Sequence, residues 1–312
     1  MRITVITPAW NVARFIGATI ASVQAQTHRD WSMLVIDDGS TDDTAAVVAA
    51  FDEPRLRLIR QANAGVSAAR NRGIAAIDGA AVIFLDGDDT LAADAMARMC
   101  ATLGGADAAY GAYCFTSEDG GSIVAQKSGP FPAGDIIDRL VVQNLFANGG
   151  HMLIRADALR RAGMFRADLR YGEDWEYWCR LAAIGRFAVV PGAAPLLYVR
   201  RRGGSAILSQ GTERSALTPC LDAIFANPAI AGRVGAGRRR QSEAEIDWII
   251  GRELLRHGRA GEGLGWLRRS LAGRPSARRA VLLLAAHALR LLPPRLHGPF
   301  RAYAAAGSHL SD

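Results

Sequence analysis

Short apolar, β-branched runs alternate with helix-period stretches over the first third of the chain. The runs are Ile3–Thr7, Ser32–Ile36, Leu56–Ile59 and Ala81–Leu85, and Ala13–Gln26, Thr41–Phe51 and Ser67–Ile77 lie between them. That alternation predicts βαβ units, and hence an α/β fold with a mostly parallel sheet flanked by helices. In such sheets ligands bind beyond the carboxyl ends of the strands. Here those ends are polar: Pro8-Ala-Trp-Asn11, Asp37-Asp-Gly-Ser40 and Asp86-Gly-Asp-Asp89.

After Ala92 the pattern is mixed. It predicts a helix over Ala93–Leu103, strands over Ala108–Phe115 and Ser122–Ala125, a helix over Asp135–Val142 and a strand over His151–Ile154. A strong helix follows over Glu173–Ile184, then apolar segments at Phe187–Val190 and Leu196–Val199. Beyond Arg200-Arg-Arg-Gly-Gly204 the reading is helical, over Glu213–Phe225, Glu243–Arg256, Gly261–Leu271 and Arg278–Leu291. Gly232–Gly237 followed by Arg238–Arg240 reads as a linker, and the paired C-terminal helices weakly resemble a helical-hairpin repeat. Two domains are expected, an α/β domain over residues 1–205 and a C-terminal helical appendage over 206–312.

Composition narrows the chemistry. With 312 residues and 50% hydrophobic side chains the chain can bury a sizeable core. Lys127 is the only lysine among 37 basic residues, which excludes lysine chemistry elsewhere and a phosphate-cradling P-loop. Cys100, Cys114, Cys179 and Cys220 are far apart with no C-x-x-C pair, so no zinc site or disulfide framework is implied, and a reducing cytosol fits. Met1–Trp10 lacks the apolar core of a signal peptide, and Ala280–Leu292 is too short and too charged to span a bilayer. The net charge of +7 is uneven: from Ala231 onward 15 arginines face 6 acids. Those arginines, with Trp248, Ile249, Leu254, Leu255, Trp266, Leu267 and Leu282–Leu284, suit helices lying on an anionic membrane surface. A helical cap with a solvated basic face is the alternative. No recognition motif for nucleic acid accompanies the arginines.

Three acidic motifs are candidates for chemistry. In Asp37-Asp38-Gly39-Ser40-Thr41-Asp42-Asp43, Ser40 and Asp43 read as a capping box, while Asp37 and Asp38 sit where a carboxylate can accept hydrogen bonds from a base or ribose. In Phe84-Leu-Asp-Gly-Asp-Asp89, three carboxylates repel one another unless a cation sits among them, and all-oxygen ligands suit Mg²⁺ or Mn²⁺ shared with substrate phosphates. Capping of the next helix by Asp89 or Thr90 is the alternative reading. In Tyr171-Gly-Glu-Asp-Trp-Glu-Tyr177, Glu173 and Asp174 open a helix, where acids are favoured electrostatically, and a cap is the default for Glu173.

In order, Pro8-Ala-Trp-Asn11, Ile36-Asp-Asp-Gly-Ser-Thr-Asp42, Asn63-Ala-Gly-Val-Ser-Ala-Ala-Arg-Asn-Arg-Gly73, Phe84-Leu-Asp-Gly-Asp-Asp89 and Gly172-Glu-Asp-Trp175 resemble the family-2 glycosyltransferases of the GT-A fold. The resemblance covers residues 3 to 205 and implies inverting transfer of a sugar from a nucleotide-diphosphate donor, usually UDP-linked, to a saccharide or lipid-linked hydroxyl. By position it implies that Asp38 contacts the base beside Pro8 and Trp10, that Asn63 and Arg70 hold the nucleotide, and that Asp174 is the general base. Asp86 and Asp88 would bind the divalent cation, Mg²⁺ or Mn²⁺, and with it the donor diphosphate. Where many relatives carry a histidine, Tyr198-Val-Arg-Arg-Arg-Gly-Gly-Ser205 has none, so Arg202 or a neighbour is the candidate to pair with diphosphate, a solvated basic loop being the alternative. His151, Tyr171, Glu173 and Trp175 are candidates for the acceptor pocket, with a structural histidine as the other reading of His151. The implied setting is bacterial polysaccharide or glycolipid assembly, in the cytoplasm or at the inner face of its membrane. A non-catalytic nucleotide-sugar-binding or scaffold subunit is the alternative function.

Overall fold

The computed structural model describes residues 1–202 and 216–291. The chain opens β1 (Ile3–Ala9), α1 (Ala13–Gln24), β2 (Trp31–Asp38), α2 (Thr44–Ala49), β3 (Leu56–Gln61), α3 (Val66–Ile74) and β4 (Ala81–Phe84). These four strands are parallel and adjacent, in the order β4-β1-β2-β3. Every residue of β2 and β4 is buried, as expected for parallel strands covered by helices on both faces.

The chain continues β5 (Thr90–Leu91), α4 (Ala95–Leu103), β6 (Ala108–Tyr110), β7 (Tyr113–Thr116), β8 (Ile123–Lys127), α5 (Ile137–Leu140), β9 (Met152–Arg155), α6 (Ala156–Ala162), α7 (Glu173–Ile184), β10 (Phe187–Val189) and β11 (Leu197–Arg200). The main sheet has seven strands in the order β10-β6-β9-β4-β1-β2-β3, with β9 antiparallel to both neighbours. A four-stranded sheet runs β5-β11-β7-β8. The expected strand over Ala108–Phe115 is therefore two strands in two sheets. The break falls at Gly111, whose carbonyl bonds the His151 ring at 2.9 Å and where an added Cβ would lie 3.0 Å from Val190 Cβ.

The helix expected from Thr41 starts at Thr44, because Ser40 and Asp43 form no capping box. Ser40 Oγ accepts from the Asn11 amide at 3.1 Å, and Asp43 makes no side-chain cap. Asp42 takes the capping role instead, accepting from the Thr44 amide at 3.0 Å and, across the loops, from the Ala13 amide at 3.0 Å. The helix expected over Asp135–Val142 is reduced to the four residues of α5.

Two features aim the sheet's carboxyl edge. Gly73 lets α3 lie directly on β1, since a Cβ there would sit 2.3 Å from Ile6 Cγ2. Behind β4, Phe165 stacks on Tyr177 at 3.8 Å and meets Phe84 edge-on at 5.2 Å, with Trp178 5.8 Å from Phe165. This aromatic cluster fixes α7 against the strand, and its Phe84 and Trp178 contacts to Phe165 have the edge-on geometry that ring quadrupoles favour.

The structure divides into two compact units, Met1–Ile137 with Leu145–Arg201, and Asp138–Asn144 with Arg202–Asp312. Among the described residues, the second unit contains α8 (Thr218–Ala226), α9 (Pro228–Ala231), α10 (Arg238–Arg256), α11 (Ala260–Gly273) and α12 (Ala277–Leu291). Arg238–Arg240, read as linker, are the first turn of α10, where Arg238 bonds Asp138 and Ser242 Oγ donates to the Val141 carbonyl at 2.7 Å. Trp248, Leu255, Leu264, Leu267, Leu282 and Ala286 form the unit's own core. Of the apolar residues offered to a membrane by the sequence, Ile249 and Leu284 are exposed, whereas Trp248, Leu254, Leu255, Leu267 and Leu282 are buried. No described helix is long and apolar enough to cross a membrane. Several arginines are also used internally. Arg279 is 1% exposed and bonds Glu245, which also accepts from Arg274 at 2.8 Å, while Arg269 lies over the Trp266 ring at 4.1 Å.

Gly73→Ala is expected to destabilise the protein by about 1–3 kcal/mol, because the methyl overpacks against Ile6. Thermal or denaturant unfolding checks this, and Ile6→Ala, which removes the clashing Cγ2, should cost less stability in the Gly73→Ala chain than in the wild type.

Candidate active site

The carboxyl ends of β1, β2 and β4 converge. At β1, Pro8 is half-buried and Trp10 is 56% exposed. Asn11 adopts φ 51° and its Oδ1 accepts from the Thr41 amide at 2.8 Å, which stitches the first strand end to the second. The ends of β1 and β4 approach so closely that a Cβ at Gly87 would lie 3.2 Å from the Pro8 carbonyl oxygen.

Asp37 and Asp38 are both buried at the end of β2, and the protein uses their carboxylates. Asp37 accepts from the Ser40 amide at 3.0 Å and from Arg60 Nε at 3.1 Å. Asp38 accepts from Gln61 Nε2 at 2.7 Å and from the Ala64 and Gly65 amides at 2.9 and 2.8 Å. Asn63 is exposed, and its Nδ2 donates to the Asp38 carbonyl at 3.0 Å. Asp38 thus shapes the loop ahead of α3 with three charge-assisted hydrogen bonds.

Arg70 on α3 is buried, its side chain 6% exposed. Its NH2 donates to Asp86 Oδ1 and its NH1 to Glu173 Oε1, each at 3.2 Å, and its guanidinium lies 5.3 Å from the Phe165 ring centre. Burial works against its charge, and Asp86, Glu173 and Asp174 together outweigh that effect. Glu173, expected as a cap, is this ion-pair partner instead. The residue ahead of α7 is Gly172 at φ 71°, which makes no side-chain cap.

Asp174 Oδ1 accepts from the Trp175 amide at 2.6 Å. Burial, and then the neighbouring Glu173 charge, push its carboxyl up to about 6, while Arg70 opposes them. Trp175 is buried, and among the described residues the buried hydroxyl of the half-buried Tyr171 has no hydrogen-bond partner.

In the turn after β4, Asp86 and Asp88 are partly exposed and Asp89 is buried. Thr90 belongs to β5 and α4 begins at Ala95, so neither Asp89 nor Thr90 caps a helix. Asp89 accepts from the Arg200 amide at 2.9 Å and from Asn148 Nδ2 at 2.6 Å. Burial, then the charges of Asp86 and Asp88, hold its carboxyl well above the usual range. Arg200 Nε also donates to the Asp88 carbonyl at 3.0 Å. Among the described residues no three histidine, cysteine or acidic side chains make a ready cage for a metal. The donor set does fit a hard cation held by one or two carboxylates and completed by substrate oxygens. Arg202 is exposed and opens the second unit, and Gly203-Gly-Ser205 beyond it lie outside the described residues.

His151 is fully buried with both ring nitrogens engaged. Nδ1 donates to the Gly111 carbonyl, and Nε2 accepts from the Ala147 amide at 3.3 Å. Burial, the largest influence, lowers its pKa to about 4, so the ring is neutral. Sequence reasoning did not single out Gln61, Asn148, Phe165 or Arg200. The Asn-Gly-Gly run was the one available signal, for Asn148.

The model of the glycosyl transferase family 2 matches residues 4–163. The succinoglycan biosynthesis protein ExoO of Rhizobium meliloti is 33% identical over 225 residues, covering 66% of this chain and 63% of that protein. The chain spans 29%, 14% and 63% of the lengths of the first relatives it matches. In fold it is similar to Staphylococcus aureus TarS 1–349 in complex with UDP-GlcNAc, at TM-score 0.61 and 19% identity over 93% of this chain and 88% of that one. The mannosyltransferase PcManGT of Pyrobaculum calidifontis, in complex with GDP-Man and Mn²⁺, aligns at TM-score 0.52 and 19% identity over 98% and 86% of the two chains. The fold is therefore of GT-A type, and with half of its length matched by the family model, the chain belongs to glycosyl transferase family 2.

Proposed function

We propose that the protein is an inverting glycosyltransferase that moves a sugar from a nucleoside-diphosphate donor, UDP-linked, to a hydroxyl of a saccharide or lipid-linked acceptor. The observation that carries this reading is the Asp86–Arg70–Glu173 bridge. Through it, an acidic turn suited to a donor diphosphate stands one ion pair away from a helix start whose Asp174 has a carboxyl at about 6.

In this reading Asp174 accepts the proton of the acceptor hydroxyl as that oxygen bonds the anomeric carbon. The bond from that carbon to the diphosphate oxygen breaks, and the nucleoside diphosphate leaves with the electron pair. A pKa near 6 leaves the carboxylate ionised at neutral pH yet more basic than an ordinary aspartate, and such a base contributes about 10²–10⁴-fold. Attack opposite the leaving group inverts the anomeric centre. Asp86 and Asp88 would hold Mg²⁺ or Mn²⁺, which supplies positive charge to the departing diphosphate. Pro8, the exposed Trp10, Asn63 and the loop shaped by Asp38 would receive the nucleotide. Arg70 serves it by fixing Asp86. Tyr171, Glu173 and Trp175 border the base and would shape the acceptor side, while His151 supports the loop beneath it. A nucleotide-sugar donor and cysteines that remain thiols suit a cytoplasmic enzyme. Among the described residues of the second unit, the exposed Ile249, Val281 and Leu284 are side chains available to a membrane carrying a lipid-linked acceptor.

Asp174→Asn should lower transfer about 10²–10⁴-fold while UDP binding by calorimetry is unchanged. Wild-type turnover would remove Asp174 from the role of base. For the wild type, kcat/KM should fall about tenfold per pH unit below about 6, where Asp174 takes up a proton, and level off above it. Arg70→Met removes the charge that holds the Asp174 pKa down, so its titration, followed by carboxyl NMR, should move above about 6. Excess EDTA should stop transfer and Mn²⁺ restore it; full activity in EDTA would take the cation out of the reading.

A further inference from the structure

The loop leading into β9 brings one uncharged side chain into the acidic turn. Its approach depends on glycine. A Cβ at Gly149 would lie 2.7 Å from Phe84 Cβ, and one at Gly150 would lie 2.7 Å from Leu197 Cδ1. The residue delivered is Asn148, which is 6% exposed. Its Nδ2 donates to Asp86 Oδ2 at 3.2 Å and to Asp89 Oδ2 at 2.6 Å, and its Oδ1 accepts from the Gly150 amide at 2.8 Å. These contacts assign the amide orientation, because a flipped amide would turn its carbonyl toward two carboxylates and its NH₂ toward an N–H.

Chemistry explains the choice of an amide. Asp86 and Asp89 repel each other, and something must hold both without cancelling the charge that makes the turn useful. An arginine or lysine at 148 would add a second positive charge to that of Arg70 where a cation is to be held. A serine or threonine hydroxyl has one proton and can satisfy one carboxylate. The asparagine nitrogen carries two protons and no charge, so it can serve both. Asp86 is then fixed from two sides, by Asn148 on Oδ2 and by Arg70 on Oδ1.

We propose that Asn148 is a positioning residue that orients Asp86 against the buried Asp89 and so sets the affinity of the turn for a divalent cation. This rests on the reading of Asp86 as a cation ligand. Partners that orient metal ligands by hydrogen bonding typically change metal affinity 10–100-fold when removed.

The test is Mn²⁺ binding to the full chain in the presence of UDP, followed by the electron paramagnetic resonance of free Mn²⁺, with thermal unfolding alongside. Asn148→Ala is expected to weaken Mn²⁺ binding about 10–100-fold, while UDP binding without metal and the pH midpoint of Asp174 stay unchanged. Asn148→Ser, which keeps one donor, should fall between wild type and Asn148→Ala, and it carries the test if the alanine variant does not fold. Wild-type Mn²⁺ affinity in either folded variant would overturn the role of Asn148 and leave the cation reading intact. Absence of Mn²⁺ binding by the wild type would overturn the cation reading and the role of Asn148 together.

Discussion

A guanidinium buried as deeply as that of Arg70 requires carboxylates within reach, since an unpaired charge there would be prohibitively costly. The two it finds come from different parts of the chain, Asp86 from the turn after β4 and Glu173 from the first turn of α7. Satisfying one side chain therefore brings the acidic turn and the candidate base into one arrangement. Arg70 is held in place by α3, which lies on β1 only because residue 73 is glycine, and by Phe165 beneath the guanidinium. Phe165 in turn stacks on Tyr177 of α7, so the helix that presents Glu173 and Asp174 is packed against the same ring that underlies Arg70.

Electrostatics at this edge are divided by burial. Asp37 and Asp38 are consumed by backbone amides and by Arg60 and Gln61, and they define loops. Asp89 is enclosed with Asn148 and the Arg200 amide, and its carboxyl is pushed toward the neutral form. Asp86, Asp88 and Asp174 keep some access to water. The acids that the sequence lists as equals thus differ in burial, Asp37, Asp38 and Asp89 being enclosed and Asp86, Asp88 and Asp174 only partly so.

This division was the part least legible in the sequence. The parallel strands β1 to β4 and the start of α7 at Glu173 could be read directly, because buried parallel strands leave continuous apolar runs and a helix leaves a period. Local periodicity does not report which distant group meets which. The Arg70–Glu173 pair spans 103 positions and the Asn148–Asp86 bond spans 62, and neither leaves a pattern in its neighbourhood. The run Ala108–Phe115 failed for a related reason. Its apolar character continues through Gly111, but the chain changes sheets there because His151, forty positions on, takes the Gly111 carbonyl. Ser40 and Asp43 had the spacing of a capping box, yet Asn11 from the neighbouring loop claimed Ser40 first.

The scarcity of lysine takes on a different meaning in this light. As composition, 37 basic residues with a single lysine describe only a surface charge. In the structure, Arg70 uses two separate nitrogens for two carboxylates on different elements, and Arg279 and Arg274 share Glu245 within the second unit. A compact ammonium has no planar fork and sheds its water reluctantly, so it could not span such pairs from a buried position. Arginine here works inside as well as outside. The net charge of the C-terminal region therefore overstates what it offers to a partner, because several of its cations are already engaged with Glu245, Asp138 and the tryptophan rings.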